Sequence, residues 1–295
     1  MASFKIKVLY FREVKKKMTA YLAHHGIKGQ KWGVRRYQNS DGSLTDAGRA
    51  RYSVQRRSNE IVKRLSSIPK PIEKEPVNLS EIMQRGKLTR NEARECRDIA
   101  DNLYFMASKK EPGITDAVSK AVTNSGANLY GLEHRLKQPT SIAAKIGSDA
   151  KEKGIAFEDA ASQINDSIRY TAVSDNKNFT KSYTAIKKTL EDAGYSERKC
   201  KNYFTKFRDG EASHKAVQSV FATPEGYMFE LQFQTAKSQA AKDLKVPLYN
   251  EARRKTTTEA RKKQLVRSMV DLGNAIDDPE DVFDILSHHG IKGQK

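Results

Sequence analysis

The chain has 295 residues, with 54 Lys and Arg against 36 Asp and Glu, a net charge of +18 and a pI near 9.7. Apolar residues make up 37% and aromatic residues 8%, at a mean hydropathy of -0.74, so a packed core is expected for part of the chain only. No run approaches the roughly 18 uncharged apolar residues that span a bilayer, which argues against an integral membrane protein and for no membrane partner.

The first residues, MASFKIKVLYFREVKKK, hold a short apolar patch broken by Lys5 and Lys7 and no small-residue cleavage site, so no secretory signal is expected. Two cysteines, Cys96 and Cys200, are too few and too far apart for a disulfide framework or a zinc site, and a reducing cytoplasm is the expected setting. Residues 1–65 carry 16 basic and 4 acidic side chains, a net +12, whereas residues 131–254 carry 21 and 16, a net +5. The basic excess therefore sits at one end, as an arm contacting DNA or another acidic surface, or as a solvated tail.

The octapeptide HHGIKGQK stands at His24–Lys31 and again, letter for letter, at His288–Lys295. Three readings are open. Paired histidines bind metals, although without a carboxylate or Cys partner they are a weak ligand set. A Gly-rich basic segment suits a docking tag that orders on a partner. A common end at Lys suits a processing signal that releases residues 32–295.

From Ser53 to about Ala107 the spacing predicts helices, interrupted at Pro69, Pro71 and Pro76, with Ser80 as the cap of a helix that runs on from Glu81. Pro112-Gly113 predicts a break before a second helix from Thr115 to Asn124. Beyond Leu129 the pattern turns to mixed α and β. It predicts a helix from Pro139 through Ala150, a strand at Ser167–Val173, an amphipathic helix from Lys181 to Ala193 stopped by Gly194, and a short strand at Tyr203–Phe207. A hairpin follows, Lys215–Thr223 and Tyr227–Thr235, joined at Pro224-Glu225-Gly226. In its second arm Phe229, Leu231 and Phe233 share one face, and Glu230, Gln232 and Gln234 the other. The second face is either a cleft or an ordinary solvated surface. After a Lys-rich stretch the chain predicts a helix at Ala260–Leu272, then an acidic tether around Asp277–Asp281. The expected organisation is thus residues 1–52 as a basic tagged segment, 53–128 helical, 129–254 a mixed domain, and 255–295 a tether with the second tag copy.

Arg135, Lys137, Ser141 and Lys145 fall in the pattern R-x-K-x-x-x-S-I-x-x-K. Ser141 and Lys145 are one helical turn apart near a helix start, with Arg135 and Lys137 on the approach. Three cations, a hydroxyl and a helix N-terminus make a triphosphate cradle.

Two resemblances follow from these residues. HHGIKGQKWGVRRYQNSDGSLTDAGRARY resembles a tag of tailed-bacteriophage and prophage proteins, which implies a virion or head-associated protein in the host cytoplasm, with capsid or portal proteins as partners through the repeated tag. R-x-K-x-x-x-S-I-x-x-K, an Asp before Ile-Arg, Glu-x-Gln-x-x-Thr and a later Leu-Tyr-x-x-x-Arg, over Leu129–Arg254, resemble the RelA/SpoT-type nucleotidyltransferase (synthetase) domain. That resemblance implies an α+β fold, a mixed sheet flanked by helices, and Mg2+-dependent transfer of pyrophosphate from ATP to the hydroxyl of a nucleotide or of tRNA. It implies that Arg135, Lys137 and Lys145 hold ATP phosphates beside Ser141. It implies that Glu230 and Asp166 are the catalytic carboxylates and magnesium ligands, and that His214 stacks on the acceptor base. The Asp-to-Arg spacing, Asp166-Ser167-Ile168-Arg169, is two residues shorter than the family's D-x-x-G-x-R, so Asp166 serves only from the end of its strand. The alternative from another class is a phage minor capsid or structural protein that keeps this fold for assembly without catalysis.

Overall fold

The computed structural model describes residues 37–65, 72–204, 215–252 and 256–289. The chain divides into two units, residues 1–49 and residues 50–295. In the first, Gln38 and Leu44 form an isolated bridge around a turn in which the Asp41 carboxylate accepts from the Ser43 amide at 2.9 Å. Helix α1 spans Asp46–Lys63.

The second unit is built on a six-stranded sheet in the order β1-β2-β5-β4-β3-β6. The strands are β1 (Asn128–Leu129), β2 (Arg169–Ser174), β3 (Ser196–Asn202), β4 (Val217–Ala222), β5 (Met228–Thr235) and β6 (His288–His289). The helices after α1 are α2 (Leu79–Gly86), α3 (Arg90–Asn124), α4 (Pro139–Lys153), α5 (Phe157–Ser162), α6 (Phe179–Asp192), α7 (Ala236–Ala252) and α8 (Glu259–Asn274). β2 and β5 run parallel, and the other pairs are antiparallel, so the architecture is a mixed sheet flanked by helices, as expected.

The apolar alternation of β5 sets the core. Phe229, Leu231 and Phe233 are buried with Tyr170 and Phe221, and the Phe221 and Phe229 rings lie stacked at 5.9 Å. α3, α4 and α6 close this face with Ala100, Ile142, Ile146 and Ile186. Each such side chain removed from water contributes about 1.5–3 kcal/mol. Gly147 lets α4 approach the α2–α3 junction, because a Cβ there would stand 2.4 Å from Leu88 Cδ1. The hairpin turn needs Gly226, which takes φ +86°. On the other side of the molecule α7 packs with α1 and α8 through Val54, Ile61, Ala240, Ala241 and Leu272.

Four expectations are revised. Asn78, not Ser80, caps α2, and the helix stops at Lys87 in the left-handed region, after which Thr89 and Glu92 form a capping box that starts α3. Pro112 does not break α3, because Ala107, Glu111, Ile114, Thr115 and Val118 keep one buried face continuous past it while Pro112 itself faces outward. Of the strand expected at Tyr203–Phe207, Tyr203 and Phe204 form a turn and residues 205–207 lie outside the described residues; the strand here is β3, where a polar run is recruited by pairing with β4. Nor do residues 256–289 form a tether. α8 packs on α7, Asp278 pairs with Lys215 at 2.6 Å, Val282 and Ile285 are buried, and β6 joins the edge of β3. Among the described residues no helix is long and apolar enough to cross a membrane.

Candidate functional site

The approach to α4 runs antiparallel to the start of β2: the Lys137 amide donates to Ser167 O at 2.9 Å and the Arg169 amide to Arg135 O at 2.8 Å. α4 opens with Pro139 at its first turn, and Gln138 caps it with backbone only; its side chain instead ties down the preceding segment through the Glu75 amide at 3.0 Å and Glu73 O at 3.3 Å. Burying Ile142 and Ile146 turns Ser141 and Lys145 to the opposite, half-buried face of α4.

At this junction Asp166 sits just ahead of β2. Its Oδ2 accepts from Lys137 Nζ at 2.7 Å and its Oδ1 from Lys145 Nζ at 2.9 Å. The carboxylate is buried, with 11% of its side chain exposed, while Lys137 and Lys145 keep 20% and 34%. Burial alone would raise the Asp166 pKa, but the two ammonium groups outweigh it and hold it at about 2. Burial also pulls the Lys137 ammonium down, opposed by Asp166 and reinforced by Lys145 and Arg169. Ser141, one turn before Lys145 on α4, accepts from Arg85 Nη1 at 3.4 Å through its Oγ.

Arg135 does not join them. It closes the short 3-10 turn Leu132–His134 with helical dihedrals (φ -68°, ψ -26°), so it leaves the extended alternation that would align it with Lys137. Its guanidinium is buried, giving Nε to Glu111 at 2.5 Å and Nη1 to Leu132 O at 2.9 Å. Glu111 is also held by Thr115, whose hydroxyl lies 2.7 Å from Tyr170 Oη, so Arg135 is one member of a core network. Three cations were expected together; Lys137 and Lys145 meet on Asp166, and Arg135 ties α3 to the sheet.

Parallel pairing sets Arg169, Thr171 and Val173 of β2 opposite Glu230, Gln232 and Gln234 of β5. This polar face is neither solvated nor empty, because α7 reaches back over it. Lys242 Nζ donates to Gln232 Oε1 at 2.7 Å, Gln232 donates to Glu230, and Gln234 donates to Gln232 at 3.2 Å. Gln232 and Gln234 are buried and Glu230 half-buried; Gln234 Oε1 has no hydrogen-bond partner among the described residues. Burial pushes the Lys242 ammonium down to about 8; Arg169 adds to the effect, and Glu230 and Asp243 pull against it. Arg169 thus acts electrostatically on both Lys137 and Lys242, which joins the Asp166 group to the Glu230 row.

Lys242 and Arg85 were not singled out by sequence reasoning, and Arg169 entered it only as the end of the Asp-to-Arg motif, with no role. Arg169 had a signal, since in β2 it alternates with buried Tyr170 and Ala172 and must take the face opposite the core. Lys242 had none, because nothing local says that α7 folds back over β5. His214 lies outside the described residues.

As arranged, these side chains do not fit a bare Mg2+. Both oxygens of Asp166 are held by ammonium groups, Lys137, Lys145, Arg169 and Lys242 outnumber Asp166 and Glu230, and among the described residues no three His, Cys, Asp or Glu converge. What the excess of cations fits is a polyanion.

Comparison with known proteins gives short or loose likenesses. Residues 15–39, which contain the first octapeptide, match a family of unknown function (DUF7211). No curated protein matches. Among solved structures the chain is similar to the small alarmone synthetase 1 from Bacillus subtilis bound to its product pppGpp, at 16% identity and a TM-score of 0.35, covering 48% of this chain and 71% of that one. A second structure of that Bacillus subtilis synthetase gives 16% identity and a TM-score of 0.33, over 44% of this chain and 69% of that one.

Proposed function

We propose that this chain binds the phosphates of ATP at Lys137, Lys145 and Ser141 and transfers pyrophosphate to a hydroxyl of a nucleotide or of tRNA. The observation that carries the reading is the cation excess around one buried carboxylate: two ammonium groups on Asp166, with Arg169 adding to the local field. An incoming polyphosphate takes over the lysine contacts that Asp166 now holds, and charge neutralisation and positioning are the main requirements of such a transfer. The acceptor oxygen attacks the β-phosphorus, the bond from that phosphorus to the oxygen bridging to the α-phosphate breaks, and AMP leaves with the electron pair. The acceptor proton goes to Glu230. Magnesium comes here only as the companion of the nucleotide phosphates.

The test is incubation with labelled ATP and GDP, GTP or bulk tRNA, alongside ATP binding by fluorescence. Lys137→Ala and Lys145→Ala are expected to weaken ATP binding by roughly tenfold or more each, the value of a charge-assisted hydrogen bond. Glu230→Gln is expected to leave binding within about threefold and to abolish label transfer. Loss of neither binding nor transfer in the lysine variants overturns the reading. A second reading, a fold kept for assembly, is favoured by the withdrawal of Arg135 into the core; it predicts ATP binding with no transfer to any acceptor. The setting we propose, a virion or phage head in the host cytoplasm with capsid or portal partners and DNA contact through the basic first 65 residues, is supported by the tag and by their net +12.

A further inference from the structure

The site above leaves one built cluster unused, and it involves the repeated octapeptide. His288 is the first residue of the C-terminal copy, and it opens β6, which pairs antiparallel with β3 in the register Lys199↔His289 and Cys200↔His288. The imidazole Nε2 of His288 lies 3.0 Å from Oε2 of Glu197, a carboxylate with 1% of its side chain exposed. The segment before it is fastened as well. Asn202 Nδ2 donates to Val282 O at 2.7 Å and Ile285 O at 3.0 Å, and the Asn202 amide donates to Ser287 Oγ at 2.9 Å. Val282 and Ile285 are buried. Beyond Lys199, no described strand pairs with Ser196, Glu197 and Arg198 on this edge.

What lies against β3 here is short: an apolar residue, one residue of spacing, a small residue and a histidine that opens the two-residue strand β6. The other copy of the tag has the same order. Ile285-Leu286-Ser287-His288 stands against Tyr21-Leu22-Ala23-His24, and both continue as His-Gly-Ile-Lys-Gly-Gln-Lys. Strand addition takes its affinity from main-chain hydrogen bonds that any sequence supplies and its specificity from alternate side chains. We propose that the outer edge of β3, with Glu197 behind it, is a docking site for this tag sequence, and that residues 21–31 of a second copy of this chain take the place that the chain's own His288 and His289 hold there. The exchange links chains head to tail without any new surface. The N-terminal copy keeps the histidine and the apolar anchor but has Ala23 where Ser287 accepts the Asn202 amide, so it docks more weakly by roughly threefold to tenfold, the worth of one hydrogen bond.

The test uses full-length chains and a fluorescein-labelled peptide of residues 21–31, read by anisotropy. The wild type, whose site is filled in cis at high effective concentration, is expected to bind the peptide at least tenfold more weakly than His288→Ala. In the peptide, His24→Ala is expected to lose binding and Ala23→Ser to tighten it by roughly threefold or more. These peptide variants leave the fold of the receptor untouched. By sedimentation velocity, His288→Ala chains are expected to form concentration-dependent oligomers that excess free peptide disperses. Binding of the His24→Ala peptide as tightly as the parent, or no saturable binding to either chain, overturns the docking site. His288→Ala chains that stay monomeric well above the Kd of the peptide overturn the second copy as its occupant.

Discussion

Asp166 and Glu197 are both buried carboxylates at the margins of one sheet, and both have their pKa lowered against the effect of burial, yet they are finished differently. Around Glu197 the donors are mixed. Lys187 stands at 2.8 Å, Tyr183 at 2.9 Å, Ser219 at 2.5 Å and His288 at 3.0 Å, so one lysine faces one carboxylate, and two hydroxyls and an imidazole take its remaining lone pairs. Burial and Glu197 push the Tyr183 hydroxyl far up, which keeps it a donor. Around Asp166 the side-chain donors are two lysines, with Arg169 adding to the field. A carboxylate with balanced partners is a joint in the structure. One with surplus cations, on lysines that still touch water, marks a place where a further anion belongs.

The comparison breaks most readily at the level of stability. Glu197→Ala strands the buried hydroxyls of Tyr183 and Ser219 and leaves the part-exposed Lys187 unpaired, and is expected to cost about 2–5 kcal/mol in urea unfolding. Asp166→Ala leaves two lysines that reach solvent, and is expected to cost about 1–3 kcal/mol. The reverse order would show that Asp166 is the structural joint.

A smaller effect separates them by pH. The Asp166 carboxyl has a folded value of about 2 against an ordinary 3.8. Its contribution is therefore fully present above about pH 4 and is lost as pH falls toward 2, amounting to about 2 kcal/mol. Asp166→Asn should flatten the wild-type stability slope across that window, measured by chemical denaturation at each pH.

The smallest expected signal sharpens the functional half of the comparison. Lys242, with its ammonium near 8, is partly neutral at pH 8.5. A bound polyphosphate raises that value, so ATP binding at this pH should take up a fraction of a proton. Calorimetry in two buffers of different ionisation enthalpy measures the uptake, and Lys242→Met should remove it. Equal apparent enthalpies in both buffers for the wild type would place the phosphates away from Lys242.

Much of the site's framework was legible in the sequence. The period-two pattern of Phe229, Leu231 and Phe233 announces a buried strand face, and Ser141 and Lys145, one turn apart, share the face that Ile142 and Ile146 leave free. Arg135 was misplaced because an i, i+2 reading assumes extended backbone, and a 3-10 turn intervenes. β3 was misplaced because Ser-Glu-Arg-Lys-Cys-Lys-Asn has little strand propensity of its own and owes its conformation to β4. The acidic end read as a tether because its charges, Asp277 and Asp278, show their partners Lys237 and Lys215 only in three dimensions.

By itself the sequence determined which residues face inward, where the basic charge is concentrated, and that one octapeptide occurs twice. Those are properties of spacing and identity, and a helix or strand reads them directly. Only the tertiary structure decided which faces meet: Lys137 with Asp166, 29 residues away, Lys242 over the Glu230 row, and His288 on Glu197, 91 residues away. Periodicity specifies a face but not its neighbour, and the chemistry of both buried carboxylates belongs to their neighbours.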